Sequence, residues 1–292
     1  MAVGVRFVTD PACSWSWSAE PVVRRLMADF GDELAWTWVM GGLARDYTRG
    51  YSDSEAGIGG PEGAYPGLVA HWLDVADRGG MPIDPRLWIE GPISSTYPAC
   101  MAVKAAAEQS RDGGYGYLRA LREGLMCMRR KLDTTEALVE AARPVGLDVA
   151  RFRIDLGSHA IVEAFGQDLE EARTIPEEAR SEGQVKRSGD VERLTFPTAF
   201  FVGEDGSRHA VFGHRPYADY RAAAKAAGAR ERDGERLGIL EALERFGRMA
   251  SAEVEMVCDL AGPPTAAELW RLATEWRVKP VRVLTGHLWE PA

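Results

Sequence analysis

The chain opens on an apolar run, Val3-Gly4-Val5-Arg6-Phe7-Val8, which reads as a strand. Residues 14–30 then carry Trp15, Trp17, Val22, Val23, Leu26, Met27 and Phe30 at near-helical spacing, and Gly31 suits the end of that helix. Pro21 predicts a kink in it. The stretch 34–40 alternates weakly and stops at Gly41-Gly42, giving a second strand parallel to the first across a right-handed crossover. The chain therefore begins with a βαβ unit.

From residue 45 to 93 glycines, prolines and acidic residues dominate, and only 68–76 reads as a helix, so this stretch is expected to be loop-rich. Its run Gly57-Ile58-Gly59-Gly60-Pro61-Glu62-Gly63 is a poor phosphate loop, since no strand precedes it and no Lys-Ser/Thr follows. Helices are predicted at about 99–109, 115–131, 134–143, 149–156 and 159–178. Leu118, Leu121, Leu125 and Met128 form a core-facing stripe, and Asp133 or Thr134 caps the third helix. A second half begins near Leu194. It has a strand at 199–202, the turn Gly203-Glu204-Asp205-Gly206, a strand at 209–212 and a helix at 217–227 opened by Pro216.

The charged segment 229–236 reads as a solvated linker. Beyond it, a helix at 252–260, the break Ala261-Gly262-Pro263-Pro264, a second helix from Thr265 and a strand-like piece at 278–286 suggest a helix-turn-helix with a small wing. The second helix carries Glu268, Trp270 and Glu275 without a basic stripe. A partner surface, a homodimer contact or a cap on the main domain therefore suits it better than DNA.

With 292 residues and 46% hydrophobic composition the chain can build a proper core. A net charge of −9 disfavours nucleic acid or an anionic membrane as partner. No segment approaches the roughly twenty apolar residues of a membrane span, and no basic-then-apolar leader opens the chain. A cytoplasmic protein is expected.

Four cysteines, Cys13, Cys100, Cys127 and Cys258, form no CxxC pair and have no histidine at ligand spacing, so neither a metal site nor a disulfide framework is expected. Cys127 and Cys258 read as core packing on amphipathic helices. Cys100, after Tyr97-Pro98-Ala99 at a helix start, is a candidate resolving thiol. Cys13 stands at the first turn of a helix, where unpaired N–H groups and the dipole favour a thiolate, so its pKa is expected to fall. The alternative is a buried structural cysteine; Pro11 and the small hydroxyl residues nearby tilt the reading towards reactivity. The five histidines are far apart and receive no role; His214, just past the 209–212 strand, is either an exposed turn residue or a neighbour of the site.

The segment Asp10-Pro11-x-Cys13-x-Trp15-Ser16-Trp17 followed by Glu20-Pro21 resembles the active-site segment of DsbA-like thioredoxin-fold proteins, in particular the cytoplasmic FrnE-like branch of dithiol-disulfide isomerases. Thr195-Phe196-Pro197-Thr198-Ala199-Phe200-Phe201-Val202 resembles that superfamily's cis-proline loop, and the segments 92–99 and 121–126 are also similar to the family. The resemblance covers residues 3–225. It implies an α/β thioredoxin-like fold split into 1–45 and 190–228, a loop-rich segment and helical insertion at 46–189, and a C-terminal helical, winged-helix-like extension at 229–292. Pro197 would lie against the nucleophile, with Phe196 and Thr198 shaping the substrate groove; the sequence leaves the isomer of the X–Pro bond open. Trp15 and Trp17 would form an apolar rim for a partner or pack inside.

One departure matters: Ser16 stands where the commoner family motif has its second cysteine. The resemblance then implies a CxxS site in which Cys13 attacks and forms a mixed disulfide, with the Ser16 hydroxyl near the sulfur. Release would need glutathione or another low-molecular-weight thiol as co-substrate, a substrate thiol, or Cys100. That pattern suits monothiol reduction or isomerisation of protein or small-molecule disulfides, with no bound cofactor. Two rivals remain. Kappa-class glutathione transferases and chromene-carboxylate isomerases carry a similar Ser-x-x-Ser-Trp motif, and some cytoplasmic relatives are adaptors that hand proteins to a protease.

Overall fold

The computed structural model describes residues 2–292 apart from 49–50, 52, 54–57, 60–62, 189–190 and 233. Strand β1 (Val3–Thr9) leads through helices α1 (Ser14–Ser18) and α2 (Glu20–Phe30) to β2 (Leu34–Met40), which lies parallel to β1 with Val3 beside Leu34 and Thr9 beside Met40. The kinked helix expected here is two helices parted at Ala19. Pro21 falls in the first turn of α2, where its missing N–H leaves no bond unmade. Val5 and Phe7 point into one core and Val8 into another, so both faces of the sheet are covered and β1 reads as nearly continuous apolar sequence.

The insertion follows as α3 (Tyr65–Gly79), α4 (Leu87–Glu90), α5 (Tyr97–Ala107), α6 (Tyr115–Met126), α7 (Thr135–Ala142), α8 (Val149–Leu156), α9 (His159–Arg173) and α10 (Glu177–Ser181). The stretch read as loop-rich is more ordered than expected. Tyr47, Tyr51, Trp72 and Trp88 are buried in the main core and meet edge-to-face, with Tyr47 5.0 Å from Trp88 and Trp72 5.2 Å from it between ring centres. Helix α3 outruns its predicted bounds because Pro66 opens it and Gly80, at φ +70°, closes it. The glycine-rich run 57–63 lies largely outside the described residues. The helix expected over 159–178 is cut before Pro176, which offers no N–H and holds its predecessor out of helical geometry.

A hairpin that sequence reading missed comes next, β3 (Val185–Ser188) with β4 (Val191–Leu194). Its strands are four residues each and half polar, too short to show a period of two. Strand β5 (Thr198–Val202) then runs antiparallel to β1, and β6 (Arg208–Phe212) pairs with β5, giving the sheet order β2-β1-β5-β6 before α11 (Tyr217–Ala226). The segment 229–236 is no free linker. Ala229 is buried, the Arg232 amide donates to Asp29 O at 2.7 Å, and Arg236 pairs with Asp29 at the end of α2.

The extension consists of α12 (Ile239–Phe246), β7 (Met249–Ala250), α13 (Ser251–Cys258), α14 (Gly262–Thr274), β8 (Val278–Val283) and β9 (Gly286–Pro291), with sheet order β7-β9-β8. This is the winged-helix order of elements around a small core of Leu243, Met249, Leu269 and Trp289. Its α13 packs on α2, and buried charges fasten the contact. One oxygen of the fully buried Glu20 pairs with Arg122. The other accepts from Arg119 at 3.1 Å and from the Tyr115 hydroxyl at 2.7 Å. Arg119 also forks onto Glu253 of α13 at 2.6 and 2.9 Å, and Arg24 of α2 reaches Glu253 at 3.2 Å. Burial pushes the Glu20 carboxyl up, but Arg122, Arg119 and Arg24 outweigh it and hold the group below its ordinary value.

Two outcomes follow. Glu253→Ala removes the buried carboxylate that Arg24 and Arg119 share and is expected to cost about 3 kcal/mol in a urea melt, with faster proteolytic release of the extension. Because the folded Glu20 pKa is lowered, its stabilisation is complete above the unfolded carboxylate value of about 4.3 and is lost as pH falls below it; acid melts of the wild type compared with Glu20→Gln read this out.

Candidate active site

Cys13 is the N-cap of α1, in extended geometry, and its sulfur accepts the Ser16 amide at 3.4 Å. On its other side the thiol points at the carbonyl of Phe196, 3.8 Å away. The Phe196–Pro197 peptide is cis. That loop is held from three sides. Thr198 Oγ1 donates to Thr195 O at 2.7 Å, the Gly213 amide donates to Pro197 O at 2.8 Å, and the Phe196 ring lies flush on Gly41, where an added Cβ would stand 2.0 Å from the ring. Gly41 is bare because the loop needs that space.

The thiol is 6% exposed, and its acidity runs opposite to expectation. Burial raises the Cys13 pKa, nearby Asp10 adds to the rise, and Ser16 and Arg193 offset only part of it. Helix α1 has only five residues, and desolvation of the sulfur outweighs what its first amides give back. The Ser16 hydroxyl itself is buried without a hydrogen-bond partner among the described residues, although it lies near enough to favour the thiolate.

Asp10, at the end of β1, organises the turn. Its carboxyl accepts from the Ala12 amide at 2.8 Å, the Leu43 amide at 2.7 Å, Thr96 Oγ1 at 2.8 Å and the Cys100 thiol at 3.3 Å. Cys100 is fully buried, and burial together with Asp10 pushes its pKa well up. Cys100, the candidate resolving thiol, is thus a donor to Asp10, and its raised pKa disfavours the thiolate that resolution would need. All four cysteines are free, and Cys127 and Cys258 are buried.

A cavity of about 610 Å³ opens beside Cys13. Trp15 forms part of its wall, half-buried, with Arg78 over the ring at 4.9 Å and the His214 ring 5.4 Å away. Trp17 does not belong to this rim. It is fully buried, its indole N–H donates to Pro82 O at 3.0 Å, and Arg119 lies 4.4 Å over its ring, because residues two apart on a helix face different ways. Phe196 lines the cavity under the Arg193 guanidinium, 4.4 Å above its ring, while Thr198 is spent on the loop. His214 sits at the surface with Nε2 3.2 Å from Ser18 O.

Several cavity residues left no readable signal. Tyr47 and Tyr51 lie in the segment read as loop, Arg193 in the unrecognised hairpin, and His71 on α3, where its ring Nε2 is 3.2 Å from Ser14 Oγ. Burial lowers the His71 pKa and so favours the neutral ring. Among the described residues no group of three His, Cys, Asp or Glu gathers as a metal site, and no helix is long and apolar enough to cross a membrane.

A β2-β1-β5-β6 sheet, a cysteine capping the first helix and a cis-proline loop facing its sulfur define a thioredoxin-like α/β protein. The chain belongs to the thioredoxin family: the family model described as Thioredoxin matches residues 7–176. The ClpXP adapter protein SpxH of Halalkalibacterium halodurans is 27% identical over 96% of this chain and 86% of its own length. The SpxH of Bacillus subtilis gives 27% over the same shares. The solved structure of the cytosolic disulfide reductase DsbM from Pseudomonas aeruginosa shares the fold with a TM-score of 0.54 and 17% identity, covering 76% of this chain and 97% of DsbM.

The raised thiol gives a direct test. Alkylation of Cys13 by iodoacetamide, followed by peptide mass spectrometry, should keep accelerating above the pH of about 8.5 where a free cysteine is half ionised. A plateau reached near neutrality would contradict this.

Proposed function

We propose that this protein is a single-cysteine thiol–disulfide exchange enzyme of the DsbA-like, FrnE-like kind, acting in the cytoplasm. The observation that carries the reading is the free Cys13 thiol lining a 610 Å³ cavity beside the Phe196–Pro197 loop. In the reaction the Cys13 thiol gives up its proton and the sulfur attacks one sulfur of a disulfide. A mixed disulfide forms as the other sulfur leaves as thiolate. Glutathione or a similar thiol then attacks that bond, reforms the Cys13 thiol and carries away the bound half as a new disulfide. The electrons come from the small thiol. Ser16 leaves no internal second thiol, so reduction or isomerisation fits the site better than net oxidation. Trp15, Phe196 and Pro197 are the proposed substrate contacts.

A second reading, a protein-binding adaptor, has its own support. DsbM accounts for nearly all of itself with 76% of this chain, whereas the SpxH relatives match 96% of it. The winged extension exposes Trp270 and Trp276, the surface this reading assigns to a protein partner or a second copy.

The experiment compares wild type and Cys13→Ser in the reduction of a glutathionylated peptide by glutathione. Loss of at least about a hundredfold is expected, as for removal of a covalent nucleophile. Equal rates in the two proteins would reject exchange and leave the adaptor reading.

A further inference from the structure

We propose that His71 is the catalytic base of the second half of the exchange, its imidazole taking the proton of the incoming thiol that frees Cys13 from its partner; this rests on the exchange reading above.

Thiol–disulfide exchange puts three sulfurs on one line: the one that attacks, the one attacked and the one that leaves. Each S–S bond spans about 2 Å, so a thiol that opens a mixed disulfide at Cys13 brings its sulfur about 4 Å outward from the Cys13 sulfur. The Ser16 amide lies against that sulfur at 3.4 Å and the Phe196 carbonyl faces it at 3.8 Å, so outward means into the cavity of about 610 Å³. A thiol with a pKa of about 8.5 arrives there mostly protonated at pH 7 and needs a base.

His71 lines this cavity, is half-buried, and is tied close to Cys13. Its Nε2 stands 3.2 Å from the hydroxyl of Ser14, the residue that follows Cys13 and begins α1, and the Trp15 indole lies edge-on to the ring at 6.5 Å between centres. A neutral imidazole carries one N–H and one lone pair. With Nε2–H donating to Ser14 Oγ, the lone pair falls on Nδ1, which has no hydrogen-bond partner among the described residues. The charged groups that act on the ring are Asp53, Asp74 and Arg78. The two carboxylates raise its pKa and Arg78 lowers it, but burial outweighs all three and favours the neutral form that can accept a proton. The other titratable groups in the lining fit the task less well: Asp53 and Asp74 are far weaker bases than an imidazole, and Arg78, Lys186 and Arg193 already hold their protons at pH 7.

In the step itself the incoming thiol gives its proton to Nδ1 and its sulfur attacks the partner's sulfur. A new S–S bond forms there, the bond to Cys13 breaks, and the Cys13 sulfur leaves with the electron pair. The imidazolium passes its proton to water and the Cys13 thiolate takes one up, as its raised pKa favours. The incoming thiol is oxidised and Cys13 is returned reduced.

The test loads Cys13 with 2-hydroxyethyl disulfide, confirms the adduct by peptide mass, and follows its release by glutathione from about pH 6 to about pH 10 by intact mass. His71→Gln keeps a donor for Ser14 and supplies no base. Release from the variant is expected to be about tenfold slower than from wild type at pH 7, under a ceiling of roughly thirtyfold set by the few per cent of such a thiol that is ionised there, and to match wild type well above pH 8.5. A deficit equal at every pH, or no deficit, overturns the proposal. If the variant does not fold, the wild type decides. A release rate that climbs about tenfold per pH unit up to the pKa of glutathione, in step with its thiolate fraction, overturns the proposal; a rate already flattening near neutrality supports it. Wild type that takes up no adduct at Cys13 rejects the exchange reading and the role of His71 with it, whereas an adduct that forms and shows no pH-dependent deficit rejects the role of His71 alone.

Discussion

A carboxylate placed at the centre of a protein must be matched by cations there, and in this molecule that requirement joins three parts of the chain. Glu20 stands seven residues after Cys13, and no water reaches it. Arg119 and Arg122 come to it from the insertion, and Arg119 passes the pairing on to Glu253 of the extension. Coulomb attraction in a low-dielectric interior repays the loss of hydration only when every member is present. The thioredoxin-like sheet, the helical insertion and the winged unit are therefore held to one arrangement by charge pairing in addition to apolar burial.

The same burial sets the character of the site. Cys13 receives a helix-cap amide and the nearby Arg193 charge, both of which favour a thiolate, yet it is so withdrawn from water that the neutral thiol is preferred. A helix start makes a thiol acidic only where solvent or a cation can complete its shell. Here the Phe196 carbonyl faces the sulfur instead.

How much of this could be read from residues alone depends on the range of the interaction. Strands β1 and β2, the α1–α2 break and the β5–β6 hairpin come from local spacing and turn chemistry, and they were legible. So was the winged order of the extension. The β3–β4 hairpin was not, because four half-polar residues carry no period. Nor were the positions of Tyr47 and His71, which come to line one cavity with Cys13 through packing over distances in sequence that no local pattern encodes. The acidity of Cys13 was misread for the same reason: its helix position is local, while its burial is made by Phe196, 183 residues away. The segment 229–236 misled in the opposite sense, since a run of charges looks solvated until its arginines find Asp29.

The serine at position 16 and the locking of Cys100 onto Asp10 have a consequence for time. A dithiol site ejects its partner by its own second sulfur, at a rate set inside the protein. A lone cysteine has no such internal clock: once joined to a partner it stays joined until a free thiol arrives from outside. On the exchange reading, the lifetime of the joined state is therefore inversely proportional to the surrounding thiol concentration. When reducing thiols are plentiful such a molecule turns over, and when they are scarce it holds on. Catalysis and retention of a partner would then be two regimes of one bond.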